Sequence, residues 1–272
     1  MLGRVLAGVW RSIFSRAPAP RAAPASEAGN PLSAYFFNNP GRLMQKWHHY
    51  FDIYHRHFAP FRGRSPVVVE IGTFHGGSLQ MWREYFGPGA LVVGIDIDPR
   101  CRELAGEGIE ILIGDQGDRA FLAEVRRRYP RIDILIDDGG HTFAQQIATF
   151  EELYPHVQPH GIYLCEDIHT SVAPNFGGGY RREGTFLEYA KGLIDRLYAW
   201  YTFEPERFAV DALTRSTYAL HFYDSVLVVE KRPMREPAQS ITGRPSWPSE
   251  LRAGPPGASD QVRASPSPSN LR

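Results

Sequence analysis

The sequence predicts an α/β fold: a doubly wound, mostly parallel, seven-stranded sheet that ends in an antiparallel C-terminal hairpin. Apolar runs such as residues 66–71 are continuous rather than alternating, which is typical of strands buried on both faces of a parallel sheet. Segments with helical periodicity lie between these runs. The last two apolar segments, 216–222 and 225–230, are separated by Tyr223-Asp224, which indicates a hairpin.

The predicted elements alternate along residues 38–231, the part of the chain that we expect to form the folded domain. Residues 46–61 are rich in aromatic side chains and histidine and are predicted to be a helix that packs on the sheet. Metal binding by these histidines is an alternative, but their spacing matches no ligand set. We predict strands at 66–71, 91–95, 109–113, 132–136 and 162–165 ahead of the hairpin, and helices at 78–86, 118–129, 143–154 and 186–201.

The two ends of the chain differ in composition from the middle. Residues 1–37 are predicted to be an amphipathic segment followed by a linker of Ala, Pro and Ser. Residues 232–272 are predicted to be a disordered tail, because they hold too little apolar surface to bury. Apolar residues recur at helical spacing among arginines within residues 1–16. Membrane contact is one interpretation of this segment, but docking on a partner subunit, a transit-like role or a frayed tail together outweigh it.

Composition excludes some classes of function. The 272 residues contain 30 basic and 30 acidic side chains, so nothing in the overall charge favours nucleic acid as a partner. No apolar run approaches the ~18 residues that a membrane span needs. The two cysteines, Cys101 and Cys165, show no metal-binding spacing and are predicted to be buried free thiols. A reducing, cytoplasmic location follows as an expectation.

Glycines and an acid follow the first predicted strand, where the ligand of a doubly wound sheet lies. In the turn 70–78, Gly72 permits a tight turn and Gly76 lets a ligand approach the backbone. Glu70, at the end of the strand, suits a cationic or amino-bearing ligand, and Ser78 closes the motif. The spacing differs from that of pyrophosphate-binding glycine loops, and turn glycines often serve only the turn.

Polar residues also follow the next two strands. Asp96, with Asp98 as its neighbour, is placed to accept both ribose hydroxyls of an adenosine, although an acid before proline is also common as a turn or cap. Asp115 and Gln116 are candidates for contact with an adenine edge. Asp118 is more simply a helix N-cap.

Acids and a histidine end the fourth and fifth strands. If these strands are neighbours, Asp138, Glu166 and Asp167 meet at one edge of the sheet, with His141 beside them. Oxygen ligands favour Mg²⁺, Mn²⁺ or Ca²⁺, and the histidine is a candidate general base. The alternative is that these acids cap helices or pair with arginines. Three glycines within residues 169–182 suggest a mobile cover over the crevice, or equally a plain connection.

Taken together, these motifs resemble class I S-adenosylmethionine-dependent methyltransferases, whose fold is Rossmann-like. The segments 136–141 and 165–167 more narrowly resemble the magnesium-dependent sugar O-methyltransferases of macrolide biosynthesis and the related cephalosporin-hydroxylase-like group. The resemblance runs from about residue 46 to residue 231. It implies Mg²⁺ as the ion at Asp138, Glu166 and Asp167, and His141 as the catalytic base. It implies S-adenosylmethionine at the predicted cofactor contacts, namely Glu70, Gly72, Gly76, Ser78, Asp96, Asp115 and Gln116.

The favoured hypothesis is a metal-dependent O-methyltransferase that acts on a sugar hydroxyl of a glycoside or natural product. A hydroxylase-like oxidoreductase is an alternative, but we expect the sequence to lack the set of two histidines and one carboxylate that non-haem iron uses. A non-catalytic scaffold is a second alternative. A small-molecule or glycan acceptor is expected, and association with further copies of the chain stays open. The large N-terminal domain of some macrolide enzymes has no counterpart here, so their substrates and assembly do not carry over.

Overall fold

The computed structural model describes residues 29–244 and 246. The predictions for residues 1–16 and for the end of the C-terminal tail lie outside the described residues. The chain divides into two compact units, Met1–Arg235 and Glu236–Arg272. In the second unit, the described residues 236–244 and 246 form no helix or strand.

The first unit contains seven strands and six α-helices among its described residues. The strands are β1 (Val67–Ile71), β2 (Leu91–Asp96), β3 (Ile109–Ile113), β4 (Ile132–Asp137), β5 (Val157–Cys165), β6 (Thr217–Phe222) and β7 (Leu227–Lys231). The helices are α1 (Pro31–Phe37), α2 (Tyr50–Phe58), α3 (Gly77–Phe86), α4 (Arg119–Arg128), α5 (Phe143–Leu153) and α6 (Phe186–Tyr198).

The strands form one sheet in the order β3-β2-β1-β4-β5-β7-β6. The first five are parallel, and β7 is antiparallel to both β5 and β6. The predicted fold class, a mostly parallel doubly wound sheet with an antiparallel hairpin, is therefore confirmed. The strand order reverses between β1 and β4, and in such a sheet a crevice opens at the carboxyl ends of those two strands.

The strand registers align the carboxyl ends of three neighbouring strands. Ile71 at the end of β1 pairs with Asp137 at the end of β4, which in turn pairs with Cys165 at the end of β5. The residues that follow these three ends therefore emerge side by side.

Helices cover both faces of the sheet. The first three helices pack on one face, where Tyr54 stacks on Phe58 at 5.9 Å and meets Trp82 edge-on at 5.1 Å between ring centroids. The other three helices pack on the opposite face, around Leu122 and Phe150. Strands enclosed in this way are apolar on both sides, which explains their continuous apolar runs.

Two boundaries within the domain differ from the predictions by four or five residues. The helix predicted at 46–61 begins only at Tyr50, and Lys46 ahead of it binds an acid at the sheet edge described below. Strand β5 begins at Val157, ahead of the predicted start, since Pro159 and Gly161 weaken the strand signal of its first half.

Helix α1 lies within the predicted linker. Asn30 caps it by accepting hydrogen bonds from the amides of Leu32 and Ser33, and the Leu32 side chain is fully buried in the core. The domain limits of 38–231 stay a prediction, and we propose that the folded unit starts near Asn30. Among the described residues, no helix combines the length and the apolar character that crossing a bilayer requires.

Lys231, at the end of β7, is buried against the end of α5. Its ammonium donates hydrogen bonds to the carbonyls of Tyr154 at 3.1 Å and Pro155 at 2.6 Å. Burial lowers the pKa of Lys231 from an ordinary value of 10.5 to about 8. Between these two pH values the unfolded chain holds a proton that the folded chain has released, so the contribution of Lys231 to stability rises with pH.

We therefore expect the free energy of unfolding of the natural chain, relative to that of a Lys231→Met variant, to rise as the pH increases from about 8 to 10.5. The measurement is the free energy of unfolding in urea at several pH values across that range. Lys191→Met, which removes an exposed lysine, is the control and should follow the natural pH profile. Parallel pH profiles for Lys231→Met and the natural chain would contradict the assignment.

Candidate active site

The backbone ladder of the sheet continues into the loops at its carboxyl edge. The amide of Asp138 donates to the carbonyl of Ile71 at 3.0 Å, and the amide of Glu166 donates to the carbonyl of Asp137 at 2.9 Å. The loops after β1, β4 and β5 are thus held next to one another. The acids that follow β4 and β5 meet at one edge, as the sequence led us to expect.

Two acids of this edge face the same imidazole nitrogen. His141 Nε2 lies 3.8 Å from Asp138 Oδ1 and 3.7 Å from Asp167 Oδ2. Both carboxylates are partly exposed, at 21% and 14% of their side-chain surface, so a ligand can reach them. The group could hold a metal ion, since one ligand atom from each of the three residues lies within 4.8 Å of the others.

The backbone at this edge is strained. His141 and Asp167 both adopt left-handed conformations, with φ of 54° and 55°. Such conformations are uncommon for residues other than glycine and concentrate at functional sites. Here they direct the imidazole and the carboxylate toward each other.

Lys46 is a member of the site that sequence reasoning missed. Its ammonium donates to both carboxylate oxygens of Glu166, at 2.8 and 2.9 Å, also binds Asp138 Oδ2, and lies 3.8 Å from Glu70. Burial by itself would lower the pKa of Lys46, but these three carboxylates outweigh it and hold that pKa well above its ordinary range. Only the fold brings Lys46 to acids that lie 92 and 120 residues away in sequence.

The three predicted metal ligands are therefore not equivalent. Glu166 is buried and turned toward Lys46, and burial together with the Asp138 carboxylate raises its pKa well above the ordinary value. Asp138 is shared, with one oxygen on Lys46 and the other toward His141. Asp167 accepts a hydrogen bond from the Tyr50 hydroxyl at 2.6 Å and presents its other oxygen to His141.

This donor set fits a divalent cation. Asp138, Glu166 and Asp167 outnumber the single ammonium of Lys46, and like charges at close range are costly without a cation. Carboxylate oxygens are the ligands that Mg²⁺ and Ca²⁺ prefer. Asp138 and Asp167 are the accessible donors, whereas Glu166 is buried behind them and paired with Lys46.

The predicted cofactor contacts divide into exposed and buried groups. Gly72 and Asp96 are partly exposed, and Asp115 is exposed. The Asp96 carboxylate accepts hydrogen bonds from the amides of Thr73 at 2.9 Å and Phe74 at 3.2 Å, so it braces the turn after β1.

Glu70, Ser78 and Gln116 offer almost no surface to a ligand. The Glu70 carboxylate is fully buried and accepts hydrogen bonds from Ser78 Oγ at 2.8 Å and from Trp82 Nε1 at 3.1 Å. Burial raises the pKa of Glu70 to about 7, although the positive charge of Lys46 by itself would lower that pKa. Gln116 donates to the buried Asp137 at 2.6 Å. Their assignment as direct cofactor contacts stays a prediction, and their visible role is to hold the turns beneath the crevice.

Gly72 and Gly76 are the two glycines on which these turns depend. Gly76 has φ of 78° and is the N-cap of α3, where it packs beside Leu104. Gly72 has φ of 91°, and a Cβ placed there would lie 2.0 Å from the carbonyl oxygen of Asp138. The absence of a side chain at Gly72 lets the loop after β4 close on the turn after β1.

A second group of ligand-type side chains lies away from this edge. His57, His221 and Glu230 each place one potential ligand atom within 4.8 Å of the other two. The expectation that the chain offers no set of two histidines and one carboxylate was therefore wrong. The three residues are far apart in sequence, so their meeting depends on how α2 packs on the hairpin.

Comparisons with known proteins bear on this geometry. Residues 69–168 match the family described as "Methyltransferase domain". Residues 69–168 therefore resemble a methyltransferase domain. The matched segment runs from within β1 to just past β5 and includes the loops that bear Asp138, His141 and Glu166, and this confirms the resemblance to class I methyltransferases.

The curated relatives are named as O-methyltransferases. The chain is 39% identical over 198 residues to 8-demethyl-8-alpha-L-rhamnosyl tetracenomycin-C 2'-O-methyltransferase of Streptomyces olivaceus, a match that covers 69% of this chain and 52% of the relative. It is 36% identical over 228 residues to mycinamicin VI 2''-O-methyltransferase of Micromonospora griseorubida, covering 79% of this chain and 54% of the relative. The chain thus spans about half the length of these relatives.

A solved structure shares the fold of most of this chain. It is the MycE methyltransferase from the mycinamycin biosynthetic pathway, in complex with Mg, SAH and mycinamycin VI. The two chains superpose with a TM-score of 0.66 at 34% identity, over 75% of this chain and 53% of that one.

A Gly72→Ala substitution tests the packing of the two turns. We expect it to lower the free energy of unfolding by roughly 2–4 kcal/mol, because a methyl group would clash with the Asp138 carbonyl in addition to straining the backbone. Chemical denaturation measures the change. Gly63→Ala is the matched control, since Gly63 also has a positive φ, of 70°, but no atom lies within 4 Å of the position that a methyl group would take there. Equal losses in the two variants would show that the contact contributes nothing.

A Lys46→Met substitution tests the charge balance of the site. We expect a loss of about 3–5 kcal/mol in the free energy of unfolding, because buried carboxylates are left without their ammonium partner. Millimolar Mg²⁺ should restore part of this loss, since a cation can replace the missing charge. Thermal unfolding with and without Mg²⁺ measures both effects, with Lys191→Met as the surface control. The cation assignment fails if Mg²⁺ stabilises neither variant.

Proposed function

We propose that this chain is a metal-dependent O-methyltransferase that transfers a methyl group from S-adenosylmethionine to a sugar hydroxyl of a glycoside or other natural product. The observation that carries the proposal is the position of His141 Nε2 between the accessible carboxylates of Asp138 and Asp167 at the crevice of a methyltransferase domain. The names of the curated relatives and the Mg and SAH of the MycE complex support it.

Asp138 and Asp167 would hold the cation, with Glu166 as the third carboxylate. When bound, a divalent cation supplies Lewis acidity that makes a coordinated hydroxyl more acidic. Mg²⁺ prefers oxygen ligands, so we assign the imidazole of His141 the role of proton acceptor rather than that of a metal ligand. In this proposal His141 Nε2 accepts the hydroxyl proton as the oxygen becomes a nucleophile.

When bound, S-adenosylmethionine supplies an activated methyl group, so the main task of the protein is to position the acceptor oxygen. The cofactor would lie along the turns after β1, β2 and β3, where Gly72, Asp96 and Asp115 retain exposed surface. Glu70 and Gln116 would act beneath it by keeping those turns in place.

The charges and strain of the site separate this proposal from a scaffold role. Two strained residues and an excess of carboxylates at one edge are destabilising, and a purely structural protein gains nothing from them.

The proposed acceptor is a small molecule or glycan, and a cytoplasmic location is proposed from the two buried free thiols.

His141→Ala and Asp138→Ala test the proposed roles. We expect each to lower turnover by at least about 100-fold, because the first removes the general base and the second a cation ligand. Both should leave S-adenosylmethionine binding within a few-fold of the natural chain. Transfer of a labelled methyl group to a panel of glycosides measures turnover, and calorimetry measures cofactor binding.

His160→Ala, which removes an exposed histidine of β5, is the control and should change neither property. Loss of cofactor binding in both active-site variants would mean that the cation and base have been misassigned.

A further inference from the structure

We propose that His57, His221 and Glu230 form a second metal site, one that binds a transition-metal cation of the Zn²⁺ type. The three side chains come from α2, β6 and β7. His57 Nδ1 lies 3.5 Å from Glu230 Oε1, and His221 Nε2 lies 2.9 Å from the same oxygen. The two imidazole rings are 4.8 Å apart between centroids.

The sheet register separates this site from the candidate active site. Glu230 pairs with Ile162, three residues before the end of β5, which corresponds to about 10 Å along a strand. His57 follows Tyr50, which contacts Asp167, by seven residues of α2, also about 10 Å. The two groups of ligands therefore belong to different sites.

The donor types point to a metal other than Mg²⁺. Two imidazole nitrogens and one carboxylate oxygen form a ligand set that zinc uses with water in the fourth position. Metal–ligand distances of about 2.0–2.1 Å place tetrahedral ligand atoms roughly 3.3 Å apart. The separations of 3.5 and 2.9 Å on either side of Glu230 Oε1 lie close to that spacing.

The surroundings of His57 favour its binding to a metal ion. Its other ring nitrogen, Nε2, is hydrogen-bonded to the Tyr223 hydroxyl at 2.9 Å, which fixes the orientation of the ring as outer partners do in metal sites. Burial, together with the neighbouring His221, lowers the pKa of His57 to about 4. The imidazole is therefore neutral at ordinary pH, as metal binding requires.

The site is accessible to an incoming ion. The His57 side chain is buried, with 4% of its surface exposed, but those of His221 and Glu230 are 29% and 21% exposed. The second oxygen of Glu230 lies 3.7 Å from the guanidinium of Arg232, a half-exposed side chain that also packs over the ring of Tyr218. A metal bound here would join α2 to the C-terminal hairpin.

Zinc binding to the full-length, metal-free protein tests this site. The experiment uses competition with a chromophoric chelator and is repeated on an Asp138→Asn background, which weakens the candidate active site. We expect His221→Gln and Glu230→Gln each to remove one equivalent of bound Zn²⁺, or to weaken it by at least 10-fold, on both backgrounds. His160→Gln is the control and should retain that equivalent.

Thermal unfolding supplies a second measurement, because a metal that binds only the folded chain raises the melting temperature. Zn²⁺ should stabilise the Asp138→Asn protein and not the His221→Gln variant of it. The site is refuted if His221→Gln and Glu230→Gln bind as much Zn²⁺ as their parents with unchanged affinity. Because neither residue belongs to the candidate active site, this result would leave the methyltransferase proposal untouched.

Discussion

The ion pairs of Lys46 are the interaction on which the carboxyl edge of the sheet depends. Parallel strands bring acids that lie far apart in sequence to one edge, and helix and sheet packing removes water from behind them. Asp138, Glu166 and Glu70 would repel one another there without a positive charge. The buried ammonium of Lys46 supplies that charge and holds Glu166 and one oxygen of Asp138 in place.

This arrangement divides the acids by function. Asp137 and Glu70 point inward, where hydrogen bonds from Gln116, Ser78 and Trp82 satisfy them, and they fix the loops. Asp138 and Asp167 point outward and face the imidazole of His141. Successive side chains of an extended backbone point to opposite sides, so Asp137 stabilises the loops while Asp138 faces the proposed reaction site.

Helix α2 connects the two sites. Its first residue, Tyr50, donates to Asp167 at the candidate active site, and His57 near its other end meets the hairpin residues His221 and Glu230. The segment just ahead of the helix carries Lys46. The aromatic and histidine-rich composition of this part of the chain therefore reflects contacts at both ends of the helix as well as packing on the sheet.

The sequence by itself determined the fold class, the seven strands and the meeting of Asp138, Glu166, Asp167 and His141. Continuous apolar runs indicate buried parallel strands, and parallel strands must bring their carboxyl ends to one edge. Only the tertiary structure decided that Lys46 neutralises Glu166, that Glu70 and Gln116 are buried, and that His57 joins His221 and Glu230. Periodicity and motifs are local signals, whereas these contacts depend on how helices far apart in sequence pack on the finished sheet.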